Sequence, residues 1–145
     1  ARIRRGIKGD PAQAIGSSKE LLETVLKAIL GLHGNGPETR RDIPQLLHAA
    51  NMELGFHPGG HRDNAPGAEQ RRRLFGALIA IVTTTAELRN SGFGTGHGGT
   101  RRPQLDIATA KLVVSAAVAV ATFYLEAHSA ESTCGKSDDT RRSSE

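Results

Sequence analysis

Apolar residues recur at helical spacing in four stretches, separated by breaks rich in glycine and proline. Leu21, Leu22, Val25, Leu26 and Ile29 repeat at intervals of three and four, which predicts a helix near 18–30. Ser17-Ser18-Lys19-Glu20 reads as its capping box, with Ser17 as the cap, and Gly31 and Gly34 end it. Ile43, Leu46, Leu47 and Ala50 predict a short amphipathic helix near 42–53. A loop rich in glycine and proline follows from Gly55 to Gly67. A third helix is expected near 68–90, with Leu74, Leu78, Ile81, Val82 and Leu88 on its buried side. The fourth, near 104–128, carries a stripe of Leu105, Ala108, Leu112, Ala116, Ala119 and Phe123, widened by Val113, Ala117, Val120 and Tyr124. No segment reads convincingly as a strand. The expected fold is all-α, a small helical bundle with two long and two short helices.

The width of the last stripe means burial on more than one side. Either other helices surround it, or a second subunit covers it, and a homodimer through the long helices is expected. The domain itself is assigned to 17–128. Residues 1–16 form a basic N-terminal segment, and the polar tail 129–145 is expected to be disordered. The sequence opens on Ala1 without an initiator methionine, which fits a processed chain, a trimmed one, or the end of a longer one with an upstream domain.

Aromatic residues make up only 3% of the chain, so the core is expected to be aliphatic. The single cysteine, Cys134, allows no internal disulfide, which fits the cytoplasm. The apolar run from Leu112 to Leu125 is 14 residues long, flanked by Lys111 and Glu126. That is short for a membrane span, and it is read as a buried helix.

A formal charge of +4 and a pI of about 9.7 suit a nucleic-acid partner without requiring one. With so few aromatics, contact would run through phosphates rather than stacked bases. The run Arg71-Arg72-Arg73 reads as a solvated face or a phosphate contact. His57 and His61 share a loop with no cysteine and only Asp63 as a nearby carboxylate, so neither a metal nor a cofactor is expected. The Gly55–Gly67 loop is too long for an ordinary helix-turn-helix. The later glycines lack the lysine and hydroxyl order of a phosphate-binding P-loop.

The densest candidate chemistry is Leu88-Arg89-Asn90-Ser91-Gly92-Phe93-Gly94-Thr95-Gly96-His97-Gly98. Leu78, Val82, Ala86 and Arg89 share one helix face, so Arg89 projects from the apolar side at the last turn. Gly92, Gly94, Gly96 and Gly98 turn the chain back and bring His97 just ahead of the fourth helix. An arginine fork holds a phosphate through paired hydrogen bonds, and a histidine moves protons near neutral pH. Together they can cleave an RNA backbone without metal: Arg89 stabilises the phosphorane, His97 carries the proton, and Asn90 orients either partner. Arg101 and Arg102 enlarge the positive patch. One histidine does not easily act as both acid and base, and a two-fold dimer would bring a second. The competing reading is a structural hairpin turn, with Arg89 and His97 capping their helices.

The Leu88–Gly98 stretch resembles the Leu-Arg-Asn…Gly-His-Gly signature of the abortive-infection protein C-terminal domain. Asp10-Pro11, Ala14-Ile15-Gly16 and Lys19 to Glu23 are similar to the opening of that domain, and Ala121 to His128 to its close. The likeness covers roughly residues 8–128. That domain in turn resembles the HEPN superfamily of helical RNases and nucleotide-binding modules. The resemblance implies a bacterial phage-defence domain of HEPN-like form, following a variable upstream region. It also implies Arg89 as motif arginine, Asn90 as its polar companion and His97 as motif histidine of a metal-independent RNase, with a dimer at the motif. Seven residues separate Arg89 from His97, one beyond that family's usual span. Two functions stay open: an endoribonuclease, and a non-enzymatic dimerisation or nucleotide- or nucleic-acid-sensing module serving an upstream domain.

Overall fold

The structure is a computed structural model that describes residues 10–34, 36–57, 59–60, 66–90 and 105–142, the last nine as backbone alone. Four α-helices make the bundle: α1 (Pro11–Ile29), α2 (Ile43–Glu53), α3 (Ala68–Leu88) and α4 (Ile107–Arg142). A short 3₁₀ turn, Pro37–Arg40, leads into α2. There is no strand among the described residues. Helix α1 is central: it touches all three others and packs most extensively on α4. Three helices are long, at 19, 21 and 36 residues, and only α2 is short, which corrects the expected two-and-two division.

Helix α1 starts seven residues earlier than its sequence pattern suggests. Asp10 is the cap, its carboxylate accepting the Gln13 N–H at 3.1 Å, and Pro11 occupies the first turn. Ser17 and Ser18 are therefore interior. Ser18 is buried and its hydroxyl donates to the Ala14 carbonyl one turn back, at 2.8 Å. Residues 11–16 accordingly belong to the bundle rather than to a leading basic segment. At the other end, α4 continues to Arg142, so backbone expected to be disordered extends the last helix. No proline interrupts 129–142, and helix propagation adds a bond per residue once the bundle has nucleated it.

Helices α1 and α2 end alike. The N–H of Gly31 bonds to the Ala28 carbonyl at 3.1 Å, and that of Leu32 to Lys27 at 2.9 Å. The N–H of Gly55 bonds to Met52 at 3.3 Å, and that of Phe56 to Asn51 at 2.8 Å. Both are Schellman closures, which need a left-handed residue, and Gly31 and Gly55 supply φ of 62° and 66°. Helix α2 opens on a capping box in which Asp42 accepts from the Gln45 N–H at 2.9 Å and Gln45 accepts from Asp42 at 3.1 Å. Such a cap contributes about 1 kcal/mol.

The main core joins Leu22, Leu26, Leu46, Leu54, Val82 and Tyr124. A smaller cluster of Ala14, Ala110 and Val114 sits where the start of α1 meets the start of α4. The buried stripe of α4 is Ala110, Val114, Ala117, Val120, Ala121, Tyr124 and Ala127. The stripe expected to lead divides: Leu112 is 68% exposed and Ala108 and Ala119 are exposed, while Leu105 and Phe123 pack, partly buried, against the two clusters. Leu74 of α3, expected inside, is 58% exposed. An apolar pattern that wraps most of a helix has no phase, so it cannot say which side meets α1. By length and hydropathy Ile107–Thr133 could cross a membrane, but a third of its most apolar window is buried within the bundle.

Four of the five aromatic residues gather in one place. Phe56 and Phe75 have ring centroids 4.4 Å apart, and Phe123 lies 5.5 Å from Phe56 and from Tyr124. The core is thus aromatic locally although the chain is aliphatic overall. The Tyr124 hydroxyl donates to Asn51 Oδ1 at 2.5 Å inside the bundle, tying α4 to α2. Burial pushes the Tyr124 phenol up to about 12, against a smaller downward pull from Asn51.

Candidate functional site

The site lies at the end of α3 that faces away from the aromatic cluster. Val82 and Ala86 are buried on the face of α3 that meets the core. Arg89 follows on that face, keeps helical backbone angles, and is half-buried. A wider turn of helix carries the chain through Asn90, which is exposed.

The Arg89 side chain crosses α1 at Gly16. A Cβ at Gly16 would sit 3.5 Å from Arg89 Nε and 3.7 Å from its Cδ. Gly16 is buried within the helix, so the missing side chain leaves a shelf on which the arginine rests. This glycine is a contact position. The sequence reading had treated it as the end of a loose leading segment.

Asn90 opens onto a cleft of about 420 Å³ between α1, the 3₁₀ turn and α3. Lys19, Glu23, Arg40, Arg41 and Glu87 share its walls with Asn90. Sequence reasoning missed this cleft. Its only local signal was the pair Arg40-Arg41 directly before the Asp42 cap. Beyond the glycine-rich stretch of sequence, Asp106 caps the start of α4, with Oδ1 accepting the Thr109 N–H at 2.9 Å and Oδ2 the Thr109 hydroxyl at 2.5 Å. The hydroxyl bond, then the backbone bond, hold the Asp106 carboxyl below its usual range.

His97, Arg101, Arg102 and the glycines Gly92, Gly94, Gly96 and Gly98 lie outside the described residues. The described part of the site is thus Arg89 and Asn90. Arg71-Arg72-Arg73 lies near the opposite end of α3, about 25 Å from Arg89 at the helical rise. Much of that run is engaged locally: Arg73 pairs with Glu69, and Arg71 donates to the Pro66 carbonyl at 2.9 Å. Among the described residues no group of three or more metal-ligating side chains gathers.

An arginine laid across a small-residue shelf at a helix end, with an amide beside it on an open cleft, defines an all-helical domain with a polar site at one end of its bundle. The comparisons name the family. The chain matches Abi_C, a HEPN-like domain, over residues 2–128, and it belongs to that family. No curated protein and no solved structure matches it.

Proposed function

We propose that this chain is a phage-defence domain acting as a metal-independent endoribonuclease, with Arg89, Asn90 and His97 as its working residues. The observation that carries the reading is the Arg89 side chain braced on Gly16 beside Asn90 and the open cleft. Arg89 holds the scissile phosphate and stabilises the charge that builds on it. The RNA 2′-hydroxyl attacks phosphorus, its proton passing to His97, and the bond to the 5′-oxygen breaks to leave a 2′,3′-cyclic phosphate. A second His97, from a two-fold partner, protonates the leaving oxygen. Asn90 donates to a phosphate oxygen or orients the histidine. Arg101 and Arg102 hold neighbouring phosphates.

The dimer in this proposal draws support from the outer face of α3 and α4. Leu112 and Leu74 are 68% and 58% exposed, and Ala80, Ile81, Thr84, Leu112 and Val113 line a groove of about 250 Å³ between the two helices. Large apolar side chains grouped in this way mark an interaction surface. The same face favours the second reading, a non-enzymatic dimerisation or nucleic-acid-sensing module serving an upstream domain.

The deciding experiment is cleavage of single-stranded RNA and transfer RNA, with EDTA present, by wild type, Arg89→Ala and His97→Ala. Cleavage by wild type alone is expected. Equal cleavage by a folded His97→Ala protein would sink the catalytic assignment, and no cleavage by wild type would favour the sensing module.

A further inference from the structure

The cleft beside Asn90 carries three cations that the motif does not account for, Lys19, Arg40 and Arg41, beside three carboxylates, Glu23, Asp42 and Glu87. Arg40 and Arg41 are both exposed on its wall, and among the described residues neither makes an ion pair or a side-chain hydrogen bond. Lys19 stands opposite on α1. The carboxylates present are largely committed. Glu23 Oε1 is 2.6 Å from Lys27 Nζ, and its other oxygen is 4.0 Å from Lys19. Asp42 is engaged at the N-terminus of α2, whose dipole adds positive potential on the same side. Of the three carboxylates on the described walls of the cleft, Glu23, Asp42 and Glu87, only Glu87 makes no ion pair or hydrogen bond among the described residues.

Among the described residues no aromatic side chain lines the cleft. These described walls offer no ring on which a base could stack, and forked arginines suit phosphate oxygens. Its volume, about 420 Å³, admits about one nucleotide unit at a time. It is open enough for a strand to continue past it.

We infer that this cleft holds the sugar–phosphate backbone of single-stranded RNA, with Arg40, Arg41 and Lys19 as phosphate-binding residues that lead the strand to Arg89. This rests on the ribonuclease reading for the choice of RNA. The grip is indifferent to base identity. Glu87 sits against the strand and weakens it.

The test is binding of fluorescent 2′-O-methyl oligouridine and oligoadenosine, followed by anisotropy across a salt series with EDTA present. The methylated strand lacks the attacking hydroxyl, so binding is read without cleavage, and unmodified RNA is assayed for cleavage in parallel. Arg40→Gln/Arg41→Gln is expected to weaken both oligonucleotides roughly tenfold at moderate salt and to lower the salt slope by about 1.4, two phosphates' worth for a single strand. Lys19→Gln is expected to act in the same direction, and Glu87→Gln to tighten binding. Arg72→Gln/Arg73→Gln removes equal charge at the far end of α3 and is expected to leave affinity near wild type. Because Arg40 and Arg41 are exposed, thermal melting should not move.

If the Arg40/Arg41 variant matches the Arg72/Arg73 control, or wild type binds no oligonucleotide, the inference is overturned. Binding of AMP or inorganic phosphate with the same arginine dependence, and no added affinity for the polymer, overturns the strand in favour of a mononucleotide. Arginine-dependent binding without cleavage of unmodified RNA leaves the cleft assignment standing and refutes the nuclease.

Discussion

Replacing Tyr124 by phenylalanine should make the protein less stable at neutral pH and relatively more stable in alkali. The hydroxyl is buried and donates to Asn51 Oδ1, so its removal takes away one hydrogen bond and leaves a largely buried amide oxygen unpaired. That combination costs about 1–2 kcal/mol. The alkaline arm follows from the phenol, which burial pushes up to about 12 in the folded protein, against about 10 in an unfolded chain. A folded value above the unfolded one means that the native state keeps its proton over a range where the unfolded state has lost it. The stabilisation is therefore complete below about pH 10 and disappears as pH rises towards 12, a loss of about 3 kcal/mol for two units. The phenylalanine variant has no such group, so the stability difference should shrink above pH 10 and close or reverse by about pH 12. Urea unfolding of both proteins by far-UV circular dichroism at several pH values measures this, with losses from other groups cancelling in the difference. Tyr124 is the only tyrosine and there is no tryptophan, so tyrosinate absorbance reports this group alone. Parallel decline of the two proteins between pH 10 and 12, or a folded-state tyrosinate midpoint near 10, would refute the burial argument.

Gly16 and Leu112 give two further expectations. Gly16→Ala places its Cβ at ordinary contact distance from Arg89, so the change should raise stability by about 0.5–1 kcal/mol through helix propensity, seen as a higher melting temperature. Gly16→Leu must displace the Arg89 side chain, and a folded Gly16→Leu protein should lose RNA cleavage; retained cleavage would mean the shelf is irrelevant to the site. Leu112→Asp puts a charge on the exposed apolar face of α4 and should convert a dimer to a monomer in sedimentation equilibrium. A wild-type monomer at high concentration would reject the dimer outright.

What the sequence conveyed depended on whether one pattern had one structural answer. The α2 segment did: Ile43, Leu46, Leu47 and Ala50 make one narrow stripe, and the helix forms where the pattern puts it. The Leu21–Ile29 stripe also marks a real helix, yet its start was misread because Ser17-Ser18 resembles a cap, whereas Asp10-Pro11 begins the helix. A hydroxyl that bonds back to the preceding turn, as Ser18 does, and one that caps the following turn look the same in one dimension. Helix α4 had the opposite difficulty. Apolar residues on most of its circumference left rotation undetermined, so Leu112 stood on the leading stripe and Tyr124 beside it, whereas Tyr124 is buried and Leu112 exposed.

The candidate site divides along the same line. Arg89 and Asn90 were legible because they end a periodic stretch at a glycine-rich break, a strictly local signal. Arg40, Arg41 and Lys19 carry no such signal. Arg40 and Arg41 precede Arg89 by more than forty residues and come from a different connection, meeting Asn90 only through the tertiary fold. The path of the Arg89 side chain over α1 runs across a residue with no side chain, and that is why the site is sensitive to a bulky one there. A side chain much larger than alanine at Gly16 would displace the Arg89 side chain from its shelf, separating the arginine from the cleft that leads to it. The same geometry predicts different losses from the two groups of cations. Arg40 and Arg41 should alter how tightly a strand is held, whereas Arg89 should alter what happens to it once held. A variant of Arg40 and Arg41 that loses affinity but recovers full cleavage at saturating RNA would support this division. Loss of turnover at saturation would instead join them to Arg89 as one unit.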